Sequence, residues 1–247
     1  MNGLLASVWL PSGMDLRLLA PEFALVATLV ALLTVPLITG RSHQLAAVIS
    51  LLGVALMLLV TGVLVAGPVA EGGLGVMSPT GQTPMLVIDK FAVFFKLLLA
   101  VFLVLVIWLW LTGYWWDGGR ITRERLVRPG GPEFFVLLIT SALGMALMVS
   151  TLNLLAIIIA IETASLPSYA MVGSDKRSRR GAEASLKYVL FGAATAAIMV
   201  YGASLLYGLY GTLDIPTMAS AIAKSGGLSA LGFFALFAFG VGVAFKI

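Results

Sequence analysis

Apolar residues run on for about twenty positions at a time in this chain, and polar ones gather in the gaps between the runs. Seven apolar stretches lie near 21–40, 43–67, 86–113, 132–151, 153–172, 182–210 and 228–247. A helix of about 20 residues is about 30 Å long, which matches the hydrocarbon layer of a bilayer. A membrane β-strand would alternate polar and apolar positions over segments of about ten residues. The run LLLAVFLVLVIWLWL at 97–111 shows no such alternation. The pattern therefore predicts an all-α, polytopic transmembrane helix bundle of about seven spans. The first residues carry neither a basic n-region nor an evident small-residue cleavage site, so no removable signal peptide is expected.

The gaps add an orientation. Arg41 lies between spans one and two, Arg120, Arg123, Arg125 and Arg128 between three and four, and Lys176, Arg177, Arg179 and Arg180 between five and six. The opposite side holds Arg17 and Lys224. Basic residues collect on the cytoplasmic side, so the N-terminus is expected outside. Beyond topology, the clusters are also candidates for lipid or partner-subunit contacts. This distribution accounts for the net charge of +4 without nucleic acid as a partner.

Composition narrows the chemistry. With 60% hydrophobic and 11% charged residues, the chain has too little polar surface for a water-soluble globule. It has no cysteine, which excludes disulfides, thiolate metal sites, iron–sulfur clusters and a cysteine nucleophile. His43 is the one histidine and is expected at a membrane interface. No cofactor is therefore expected on this chain.

What remains is a handful of ionisable residues at membrane depth. Burying such a group costs about 2.5–3.5 kcal/mol or more on insertion scales, so each is a functional candidate. Glu162 stands about nine residues from either end of its span, too deep to snorkel. It must be protonated, paired or hydrated. Pro167 frees the carbonyl of Thr163, and Thr163 and Ser165 add hydroxyls. Lys187 lies about 7 Å into span six; it is either a functional charge or the partner of Glu183 one turn earlier. Lys246 stands near the end of the last run, which lacks a polar flank and reads as a helix cut short. Lys90 and Lys96 are read as interfacial anchors that snorkel, and Asp89 as a helix-start residue. Pro132 and Glu133 read as the start of span four. Gly192, Ala196, Gly202, Gly240 and Gly242 permit close helix packing.

At spans four to six these residues form recognisable motifs. Glu162 is followed by SLPSYA, then by the basic loop SDKRSRRG, by AEASLKY with Lys187, and by YGASLLYGLYGTLD ending at Asp214. The closing GVAFKI carries Lys246, and Pro21–Glu22 and IDKFAVFF fit less specifically. This arrangement resembles the antiporter-like membrane subunits of proton-pumping NADH:quinone oxidoreductase (complex I), most closely the subunit N (chain 2) type. The resemblance implies an all-helical fold of about fourteen spans with two inverted five-helix repeats and broken helices along a mid-membrane path. It implies one membrane domain here, with spans one to three in 1–130 and an incomplete first repeat in 131–247. It implies that Glu162 pairs with Lys187 and that Lys246 receives the proton. It also implies a bacterial inner (plasma) membrane and other complex I membrane subunits as partners. NADH, FMN, iron–sulfur clusters and quinone would belong to other subunits.

The electrostatics of such a pair are simple. At an effective dielectric of about 20, opposite unit charges attract by roughly 4 kcal/mol at about 4 Å and roughly 2 at about 8 Å. Moving a carboxylate by about 4 Å thus changes a lysine's proton affinity by about 1.5 units. Two other readings use the same residues. One is a subunit of a related cation/proton antiporter or membrane hydrogenase. The other is a purely structural membrane subunit, in which the charges serve stability alone.

Overall fold

The computed structural model describes residues 13–40, 42–67, 69, 74–76, 84–116, 132–174 and 179–246. The expected spans are helices: α2 (Ala20–Thr39), α3 (His43–Ala66), α4 (Lys90–Trp116), α5 (Pro132–Met148), α6 (Leu154–Val172), α7 (Arg179–Tyr210) and α9 (Ala230–Lys246). Five are at least 18 residues long and apolar enough to cross a membrane, while α5 and α9 are shorter apolar helices of 17 residues. Two short helices, α1 (Gly13–Leu18) and α8 (Ile215–Lys224), and a two-stranded antiparallel hairpin, β1 (Leu74–Val76) with β2 (Leu86–Ile88), were not expected. Residues 86–88 thus form a strand, and span three begins at Lys90. Its start is set by Asp89, whose Oδ1 accepts from Ala92 N–H at 2.7 Å. Of the basic residues used for orientation, Arg41, Arg120, Arg123, Arg125, Arg128, Lys176 and Arg177 lie outside the described residues.

The helices form two packed groups. Leu25, Leu32, Val54, Met57, Leu103, Ile107, Phe135 and Ile139 make a core among α2, α3, α4 and α5. Leu154, Ile161, Met199, Leu206, Met218, Ala235 and Phe239 make a second among α6, α7, α8 and α9. Span four joins both groups. Its Phe135, Ile139, Ala142 and Ala146 lie in the first core, while Gly144 sits against the backbone of Ala160, Thr163 and Ala164, and Ser141 Oγ donates to Ala164 O at 2.8 Å. In the second group, Gly202 lets α7 meet the backbone of Ala235 and Phe239, and Gly242 lets α9 meet Thr195 and Met199. A Cβ at Gly240 would touch nothing, so that glycine takes no part in the packing.

One end of the bundle is tied by backbone hydrogen bonds. Val87 N–H donates to Ser150 O at 2.6 Å, and Thr151 Oγ1 donates to Met85 O at 2.8 Å. Leu154 N–H donates to Leu213 O, and Ile215 N–H to Leu152 O, at 2.8 and 3.0 Å. Asn153 and Asp214, opposite each other in this bridge, cap α6 and α8 with their side-chain oxygens. Gly211, at φ 67°, turns the chain out of α7 into this belt. The connections after spans two, four and six therefore share one end of the molecule.

Candidate functional site

Polar groups inside the bundle are held by the helices that carry them. Thr28, Ser50 and Thr61 each donate to the carbonyl four residues back and so stay satisfied without a partner helix. Among the described residues, carboxylates and amines of different helices meet in two places.

The first place is near the middle of α6. Lys246 Nζ, from α9, lies 3.1 Å from Glu162 Oε1, with side-chain exposures of 9% and 26%. The contact lacks the alignment of a hydrogen bond, so it acts as a charge–charge pair, and Oε1 has no other partner among the described residues. The hydrogen bonds of Lys246 go instead to Ser165 Oγ at 3.0 Å and Tyr169 OH at 2.5 Å. Ser165 Oγ in turn donates to Glu162 Oε2 at 3.4 Å. Residues 162, 165 and 169 are spaced three and four apart, so one face of α6 presents a carboxylate and two hydroxyls to one ammonium. Pro167 does not break α6, which runs unbroken from Leu154 to Val172.

The expected pairing of Glu162 with Lys187 is corrected by this arrangement. Lys187 Nζ pairs with Glu183 Oε1 at 2.6 Å, and both side chains are exposed, at 64% and 59%. The side of α7 that meets α6 carries Ser185, Tyr188 and Gly192, which contact Tyr169. At about 100° per residue, Lys187 points roughly 130° away from that side. Glu162 and Lys246 are brought together, and Lys187 is left out.

The second place was not anticipated as a site. Lys96 Nζ of α4 lies 2.6 Å from Glu22 Oε1 of α2, with exposures of 0% and 6%. Lys96 does not snorkel: it lies in the buried stripe Ala92, Lys96, Ala100, Leu103, Ile107. Apart from their mutual contact, Nζ and both carboxylate oxygens have no partner among the described residues. Leu18, Leu19, Leu64, Leu86, Ile88 and Val93 cluster at this end of the bundle. Among the described residues no group of three or more metal-ligating side chains occurs.

The family described as "NADH:quinone oxidoreductase/Mrp antiporter, TM" matches residues 151–247. Within that class the chain is similar to subunit N of NADH-quinone oxidoreductase. It is 32% identical to subunit N of Rubrobacter xylanophilus over 93% of this chain and 44% of that protein. It is 39% identical to subunit N 2 of Rhizobium meliloti over 58% of this chain and 27% of that one. A chain of the respiratory complex I of Thermus thermophilus, 29% identical, superposes with a TM-score of 0.66 over 91% of this chain and 43% of its own length. The chain thus spans less than half the length of these relatives.

Proposed function

We propose that this chain forms part of a proton-translocating membrane subunit of an NADH:quinone oxidoreductase, in which electron transfer from NADH to quinone drives proton movement through Glu162 and Lys246. The observation that carries the reading is the Glu162–Lys246 pair, half-sheltered in the bundle and lined by two hydroxyls. An amine held beside a carboxylate at about 4 Å is favoured in its charged form by roughly 4 kcal/mol, and separation of the two weakens that hold. Displacement of α9 against α6 therefore changes how firmly the amine holds its proton. Electron carriers would sit on other subunits, because this chain has no cysteine to ligate a cluster. Lys187 keeps a place in this reading outside the pair, as a charge on the free side of α7. The partners are other membrane subunits of the complex and lipid, and residues 131–247 correspond to part of a first antiporter-like repeat. The alternation of basic residues supports an N-terminus outside, and the bacterial relatives support a plasma-membrane location.

The test is substitution in the full-length subunit within its assembled complex. Lys246→Ala and Glu162→Gln are each expected to abolish most NADH-driven proton pumping while the complex still assembles. Native pumping with either change removes the pair from the mechanism. The family description, which includes Mrp antiporters, favours one second reading: cation/proton exchange without redox chemistry. Sodium-dependent proton flux in vesicles lacking NADH would select it.

A further inference from the structure

The hydroxyls around Lys246 have a role that the ion pair alone does not supply. A charged lysine has three N–H donors and no acceptor. Three oxygens surround Lys246 Nζ: Glu162 Oε1, Ser165 Oγ and Tyr169 OH. When an ammonium gives its proton to water or a neighbouring carboxylate, the nitrogen keeps the electron pair and becomes an acceptor. An ionised carboxylate only accepts hydrogen bonds, so it cannot follow that change. A phenol can, because it accepts from the ammonium and donates to the amine.

Tyr169 is also the most firmly seated of these groups. It is 3% exposed. Its ring meets Tyr188 edge-on with centroids 4.4 Å apart, and its backbone carbonyl accepts from Ser185 Oγ at 2.9 Å. Its hydroxyl lies against the bare Cα of Gly192, where a Cβ would collide with it. Ser185, Tyr188 and Gly192 form one side of α7, so that helix builds a socket for the phenol, and the phenol faces the lysine of α9. Ser165, by contrast, is committed in part to Glu162.

Resting on the proposed proton-translocating role of Glu162 and Lys246, we infer that Tyr169 is the positioning residue that holds Lys246 in place after it loses its proton, with Gly192 setting the position of the phenol. The described titratable groups facing Lys246 are Glu162 and Tyr169 from α6; from α7, Tyr188 stands behind Tyr169, and Glu183 and Lys187 are engaged with each other. An unheld neutral amine is slow to return to its loading position, so losing the phenol matters most where the neutral amine is most populated, toward alkaline pH.

The experiment is NADH-driven pumping against pH by the full-length subunit in its complex, with Lys246→Ala as reference. Tyr169→Phe is expected to lower pumping by about three- to tenfold at the alkaline end and less than about twofold at neutral pH, the scale of one lost hydrogen bond. Gly192→Ala, which displaces the phenol from another helix, is expected to give the same profile, and the double variant to be no worse than Tyr169→Phe alone. If Tyr169→Phe disturbs assembly, the Gly192→Ala profile decides by the same criterion. Lys246→Ala inactive with a native or uniformly scaled Tyr169→Phe profile overturns the inference and leaves the pump reading intact. Lys246→Ala fully active overturns both.

Discussion

Glu22 with Lys96 and Glu162 with Lys246 join the same two functional groups at similar distances, 2.6 and 3.1 Å, in surroundings of opposite kind. The first pair is buried, at 0% and 6% exposure, and its charged atoms have no further partner among the described residues. The second is partly open and offers its amine two further oxygens. A charge pair in apolar surroundings has no further group to take up a hydrogen bond when a proton enters or leaves. A pair lined with hydroxyls has partners for more than one protonation state. The difference separates an ion pair suited to fixing α2 against α4 from one suited to exchange.

The largest effect expected from this contrast is on stability. Lys96→Ala strands the Glu22 carboxylate and should destabilise the subunit by about 3–5 kcal/mol, read as a lower unfolding temperature in detergent and a poorer yield of assembled complex. Lys246→Ala should be much milder for stability, by about 1–2 kcal/mol, because the Ser165 hydroxyl still donates to Glu162. A thermal loss equal to that of Lys96→Ala would erase the distinction. Replacing both closed-off partners by apolar residues of similar volume, Glu22→Leu with Lys96→Met, should recover native stability to within about 1 kcal/mol and leave pumping intact. Should the stable double variant stop pumping, Glu22 and Lys96 belong to the proton path after all. Lys187→Ala should change stability by only a few tenths of a kcal/mol, the value of an exposed i,i+4 pair, and reduce pumping less than Lys246→Ala does. Equal losses would return Lys187 to the centre of the mechanism.

The seven spans were legible because an uninterrupted apolar run of bilayer length has few other ways to fold. The short elements were not. A three-residue strand leaves no periodic signal, although Asp214 followed by Pro216 carried the cap and early proline of α8. Glu162 was legible from its depth alone. Its partner was not, because Lys187 and Lys246 are both amines near apolar residues, and a resemblance assigned the pairing. The small and polar residues Ser185, Tyr188 and Gly192 mark the side of α7 that meets α6, and Lys187 is off that side. Lys96 was misread because a lysine one or two turns inside a span is close enough to the interface to snorkel. Its helix is apolar all round, so no polar face showed which way the amine turns. Tyr169 was overlooked because an aromatic residue in a membrane helix is ordinarily a packing group.

The backbone belt at one end of the bundle restricts how Glu162 and Lys246 can be pulled apart. With α6 pinned at Asn153 and its neighbour at Asp214, α6 is hinged like a reed fixed at its base, and sideways travel grows with distance from the knot. A lean of about 5° shifts Glu162, about 14 Å along the helix, by only about 1 Å, but shifts the far tip near Gly173 by more than about 2 Å. A displacement of that end, carried together with the side of α7 that grips Tyr169, is thereby geared down before it reaches the carboxylate, so coarse movement at the membrane edge becomes fine adjustment at its middle.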